Sequence, residues 1–161
     1  MDIFEFGMKM ELDGEAYYRE IAGKSDDKGI KAILDLLANS ETSHYNVLKK
    51  MKEHAAPELK AVTMMPDVKN VFEEMASGQG NLDADVSHVD MYKQAVDVEA
   101  KSEAFYREQA EAADTPAVKE IFTNMANEEK EHGVILESII DMLSRPDTWL
   151  ENAEWRHMEE Y

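Results

Sequence analysis

Cysteine is absent from the 161 residues. That excludes disulfides, thiolate zinc sites and iron–sulfur or rubredoxin-type centres. Glycine and proline are scarce, at seven and four, so little of the chain is marked for tight turns. Ala, Glu, Lys, Leu and Met are abundant instead, which favours helices over sheet. Basic residues are short too: 17 Lys and Arg face 35 Asp and Glu, for a formal net charge of −18. Such a chain attracts cations and repels nucleic acid and anionic membranes, which need clustered Lys and Arg. No apolar run approaches the ~20 residues of a membrane span, and the opening Met1-Asp2-Ile3-Phe4-Glu5-Phe6 has neither the basic nor the apolar region of a signal peptide. A single-domain cytoplasmic protein with no nucleic-acid or membrane partner is expected.

What is present is a repeat. Residues 11–48 laid on 99–136 without a gap agree at 15 of 38 positions, against roughly two or three from ordinary residue usage. The matches include Glu11/Glu99, Glu15/Glu103, Tyr18/Tyr106, Arg19/Arg107, Asn39/Asn127, Glu41/Glu129 and His44/His132. The bare Glu-x-x-His pattern is weak evidence, because Glu supplies 22 of the residues and Glu154 to His157 match it with no counterpart. The registered pair, Glu41-Thr42-Ser43-His44 and Glu129-Lys130-Glu131-His132, carries more. Two halves that keep the same carboxylates and imidazoles in register can set them around one pseudo-twofold axis.

Four long helices are expected, over about 3–24, 28–54, 88–112 and 116–144, with Asp27 and Thr115 as N-caps and Pro116 at a first helical position. Glu11, Glu41, His44, Glu99, Glu129 and His132 all fall on the apolar stripes of these helices, where an isolated charge should be solvated or paired. The stretch between the second and third helices, with Pro57, Pro66, a short helix over 67–76 and a Gly78 to Asn81 turn, is too long for a hairpin. It reads as a crossover. Residues 1–145 should therefore form an all-α four-helix bundle. After Pro146, the aromatic tail of 146–161 (Trp149, Trp155, Tyr161) should pack on the bundle or on a partner subunit. The eleven methionines are expected to fill the core, and His54, His88 and His157 to lie at the surface.

Four buried carboxylates bring about −4 of charge into a low-dielectric interior, which is prohibitive unless they are protonated or neutralised. Two divalent cations would balance them. Four carboxylates, two imidazoles and no sulfur suit iron or manganese, and a zinc pair is compatible. The carboxylates can bridge the pair while each His caps one cation and leaves open positions for oxygen or peroxide.

A Glu on helices one and three with a Glu-x-x-His on helices two and four resembles the ferritin-like di-iron carboxylate bundles. Within them the chain is similar to rubrerythrins, in the short form without a rubredoxin domain. Glu11 to Tyr18 and Glu99 to Tyr106 each repeat that family's Glu followed seven residues later by Tyr. The resemblance spans nearly all of residues 3–144. It implies two iron ions held by Glu11, Glu41, His44, Glu99, Glu129 and His132, with Tyr18 and Tyr106 as hydrogen-bond donors at the catalytic site. It further implies reduction of hydrogen peroxide, an external electron donor such as a rubredoxin-type protein, and a homodimer. Two departures stand out. Ser102 replaces the extra Glu that rubrerythrins usually carry three residues after the third-helix ligand, with Glu103 or a plain structural role for it left open, and the rubredoxin domain is missing. The expected small substrate is peroxide or oxygen, and ferritin-like ferroxidase and iron handling is the alternative function. A bundle with a structural or empty site, serving as an interaction module, is a third.

Overall fold

The computed structural model describes residues 2–54, 64–77 and 88–152. They form six helices: α1 (Ile3–Lys24), α2 (Lys28–Lys52), α3 (Met65–Ser77), α4 (Val89–Glu111), α5 (Pro116–Ser144) and α6 (Pro146–Asn152). Of the four long ones, α1, α2 and α5 start where a side chain satisfies a first free N–H group. Asp2 Oδ1 accepts from the Glu5 N–H at 2.8 Å, Asp27 Oδ1 from the Ile30 N–H at 2.9 Å, and Thr115 Oγ1 from the Val118 N–H at 3.2 Å. Each cap is worth about 1 kcal/mol. Asp27 and Thr115 occupy equivalent places in the repeat, so both halves start their second helix with the same device.

α1 packs on α2 and α4 on α5. Within the first pair the direction is antiparallel, since Lys52 at the end of α2 meets Glu5 at the start of α1 at 2.6 Å. The pairs face each other, and Tyr17 Oη of α1 donates to the Met91 carbonyl of α4 at 2.9 Å. This is the expected all-α, ferritin-like four-helix bundle, with α3 inside the crossover from α2 to α4.

Two apolar clusters fill the interior. One gathers Tyr18, Ile21, Ile33, Leu34, Leu37, Tyr92, Ile135, Leu136 and Ile139. The other, toward the opposite end, gathers Val47, Leu48, Met51, Tyr106, Ile121, Phe122 and Met125. Along α2 and α5 the Glu-x-x-His segments fall between them, so the polar residues form a layer sealed by hydrocarbon above and below.

Three differences from the sequence expectation have local causes. α2 ends at Lys52 because His54 adopts φ 57°, a left-handed conformation that no helix continues through. α3 begins at Met65, since Pro66 is tolerated in a first turn, where its missing N–H has no partner to lose. Pro146 stops α5 but also opens α6, for the same reason. Trp149 of α6 is buried against Phe72 of α3, with ring centroids 5.5 Å apart, and its Nε1 donates to Ser138 Oγ at 3.3 Å. Pro57, the Gly78 to Asn81 turn, Trp155, His157 and Tyr161 lie outside the described residues. Among the described residues no helix is long and apolar enough to cross a membrane.

Candidate metal centre

The periodicity that builds the core also buries the charges. Glu11, Glu41, His44, Glu99, Glu129 and His132 occupy helix positions that continue the apolar stripes, and none is more than 5% exposed. Glu and His three apart on one helix share a face, so α2 and α5 each contribute both groups to the same layer.

The six residues come together as two overlapping groups, Glu11, Glu41, His44 and Glu129, and Glu41, Glu99, Glu129 and His132, with one ligand atom of each within 4.8 Å of the others. Glu41 and Glu129 belong to both, while Glu11 and Glu99 each serve one. His44 directs Nδ1 at Glu129 Oε1 (3.0 Å) and Glu11 Oε1 (3.5 Å). His132 directs Nδ1 at Glu41 Oε1 (3.1 Å), Glu129 Oε2 (3.2 Å) and Glu99 Oε1 (3.5 Å). The imidazole rings lie nearly parallel, 6.1 Å apart at 15°. Each therefore presents the same nitrogen from opposite sides.

Electrostatics sort the groups. Burial, then the charges of Glu129, Glu11 and Glu99, raise the Glu41 carboxyl well above its ordinary value; burial and the charges of Glu99 and Glu11 do the same to Glu129. Burial also opposes ionisation of Glu99, but the His132 charge and hydrogen bonds from Glu129, His132 and Tyr18 outweigh it and bring the group to about 2. Glu11 is lowered in the same sense by Glu41, His44 and Tyr106. Burial disfavours charge on either imidazole, yet Glu11 and Glu99 hold His44 and His132 well above the usual histidine range. These shifts favour two imidazoliums balanced by Glu11 and Glu99, with Glu41 and Glu129 in the protonated form.

A pair of divalent cations with four carboxylates and two neutral imidazoles would be equally neutral, so the donor set fits such a pair. Glu11 Oε2 is buried without a hydrogen-bond partner. A buried acceptor left this way is costly unless a cation takes it.

Tyr18 Oη donates to Glu99 Oε1 and Tyr106 Oη to Glu11 Oε1. Each tyrosine thus reaches across to the carboxylate of the other half. Burial and the neighbouring carboxylates push both phenols well above their ordinary value, so they stay protonated as donors. Glu15 and Glu103 stand apart from the layer. They pair with Arg19 (3.9 Å) and Arg107 (2.8 Å), which also bond Asn39 (2.8 Å) and Asn127 (3.2 Å) on the neighbouring helix. Ser102 is buried, and the equivalent Gly14 leaves room for Glu41: a Cβ there would sit 3.1 Å from Glu41 Oε2.

Sequence reasoning passed over two residues that touch the imidazoles from behind. Ser40 Oγ lies 3.0 Å from His132 Nε2, and Glu128 Oε2 lies 3.5 Å from His44 Nε2. Each immediately precedes a layer carboxylate, and the two are equivalent in the repeat, which was the available signal. A groove of about 430 Å³ on the outer side of α2, lined by Asn39, Thr42, Ser43, Asn46, Val47 and Lys50, includes none of the six clustered residues.

The sequence model of the Rubrerythrin family matches residues 2–77 and 90–159. No curated protein and no solved structure is a significant match.

Proposed function

The chain belongs to the rubrerythrin family, and on that footing we propose that it is a di-iron oxidoreductase that reduces hydrogen peroxide to water with electrons from an external carrier. The observation that carries this is the twofold-repeated, buried layer of four carboxylates and two imidazoles. Iron is the proposed metal, on the family resemblance and the oxygen-rich, sulfur-free donor set. When bound, a ferrous pair would supply the two electrons that, with two protons, turn one peroxide into two waters.

The chain's own residues do the rest. Glu41 and Glu129, common to both groups, would hold the two ions together, Glu11 with His44 and Glu99 with His132 would complete each position, and the layer would give up its protons on loading. Tyr18 and Tyr106 keep a proton at Oη and fix the Oε1 atoms of Glu99 and Glu11. The apolar clusters on either side exclude bulk water, and burial admits only a small substrate. It also favours resident ions over ions in transit, which supports catalysis over iron passage. Oxidation and handling of ferrous iron is the second reading, favoured by the −18 charge that draws cations in. We further assign electron supply to a separate rubredoxin-type carrier, and we propose a cytoplasmic setting and a homodimer.

The test is a stopped-flow comparison of anaerobically reduced protein mixed with peroxide or with oxygen. Peroxide should oxidise it much the faster. The reverse order would favour an oxidase or ferroxidase.

A further inference from the structure

We propose that Glu128 makes the two metal positions unequal, so that the position capped by His44 fills before the one capped by His132. This rests on reading the layer as a two-metal site. The repeat gives both histidines the same task, with Nδ1 turned to the carboxylates and Nε2 turned away. What stands behind Nε2 differs: a carboxylate 3.5 Å from His44, a hydroxyl 3.0 Å from His132. His44 Nε2 and Glu128 Oε2 are both buried and have no hydrogen-bond partner of their own, while the Glu128 side chain is only 16% exposed. Each is the other's counterpart across the gap.

The chemistry of the two backings separates them. A carboxylate can only accept, so it fixes the proton on His44 Nε2 and leaves the Nδ1 lone pair facing the cation position. Its negative charge also makes the imidazole a stronger donor. The Ser40 hydroxyl can accept or donate, so it leaves the His132 tautomer free and adds no charge. Glu128 is thus a positioning residue that acts through His44, and Ser40 is its weaker counterpart.

The test is an anaerobic titration of the metal-free full chain with cobalt(II), followed by calorimetry and by the visible absorption of bound cobalt. Wild type should fill in two steps separated by about tenfold or more in affinity. E128Q keeps an acceptor but removes the charge, and should weaken the first step about ten- to a hundredfold, bringing the steps together. S40E installs a carboxylate where the other half already accommodates one, and should tighten the second step. Circular dichroism establishes that each variant is folded. Two equal steps in wild type, or an unchanged first step in E128Q alongside an unchanged second step in S40E, would overturn the proposal. Failure of the wild type to bind any cobalt would overturn the two-metal reading itself, and this proposal with it.

Discussion

The two halves of the chain, α1 with α2 and α4 with α5, carry the same inward chemistry on different surroundings. Glu11, Tyr18, Glu41 and His44 are repeated without change as Glu99, Tyr106, Glu129 and His132. Behind them, Ser40 answers to Glu128 and Gly14 to Ser102. The groups of the layer match in both halves, and each half completes the other: Tyr18 bonds Glu99 and Tyr106 bonds Glu11. Ser40 and Glu128 also reach across, to His132 and His44, yet they differ. The exposed Arg19–Asn39 and Arg107–Asn127 pairs are repeated for a different reason, since each ties the two helices of its own half together.

The sharpest way to break the symmetry is to remove a carboxylate that belongs to both groups. Glu41→Ala or Glu129→Ala should lose both metals, whereas Glu11→Ala or Glu99→Ala should lose one, as read by elemental analysis after desalting. Metal-binding energy is coupled to folding, so the shared-carboxylate variants should also lose the stabilisation that metal gives the parent. Metal content unchanged in Glu41→Ala would remove that residue from the site.

Loading should also release about four protons per pair of cations, one each from His44, His132, Glu41 and Glu129. A weakly buffered titration followed with a pH electrode measures it. The same groups set the pH dependence of the metal-free protein. His44 and His132 have raised values in the fold, so their contribution is complete below the ordinary 6.5 and is lost as pH rises past it. Glu41 and Glu129, also raised, begin to lose theirs above 4.5. Glu99, lowered to about 2, contributes above 4.5 and loses that as pH falls toward 2. Metal-free protein should therefore be most stable in weak acid and melt at lower temperature as pH rises through neutrality. Metal should remove that upper slope; a flat profile without metal would contradict the charge assignment.

Tyr18→Phe and Tyr106→Phe sharpen the comparison. Each removes a donor to the opposite half's carboxylate and should cost about 1.5–3 kcal/mol, by a similar amount in both halves. Urea denaturation of the variants checks it, and a clearly unequal pair would mean that the asymmetry extends beyond Ser40 and Glu128. Arg19→Ala and Arg107→Ala should do least, about 1 kcal/mol or below, since both guanidiniums are partly exposed.

The helices and the layer were legible because both follow a 3.6-residue period, and the repeat distinguished the registered Glu-x-x-His pairs from chance. Two capping residues, Asp27 and Thr115, were visible for the same local reason. Choosing Glu11 over Glu15 rests on the spacing to Tyr18, seven residues on. The structure adds what Glu15 does instead: it pairs with Arg19 on the outside. Less was available for contacts between elements. A repeat gives register but not reach, so nothing in it says that Tyr18 serves the other half's carboxylate. Ser40 and Glu128 sit one residue off the stripe and look like surface positions until the opposing histidine is placed. α6 has seven residues, too few for a periodic signal, and the docking of Trp149 on Phe72 joins residues far apart in sequence.

We propose that the layer holds a pair of irons. The most direct measurement is the iron content of the chain after anaerobic loading with ferrous iron and gel filtration. About two irons per chain, lost in Glu41→Ala, is the predicted result. No retained iron, or the same iron content with and without Glu41, would contradict it.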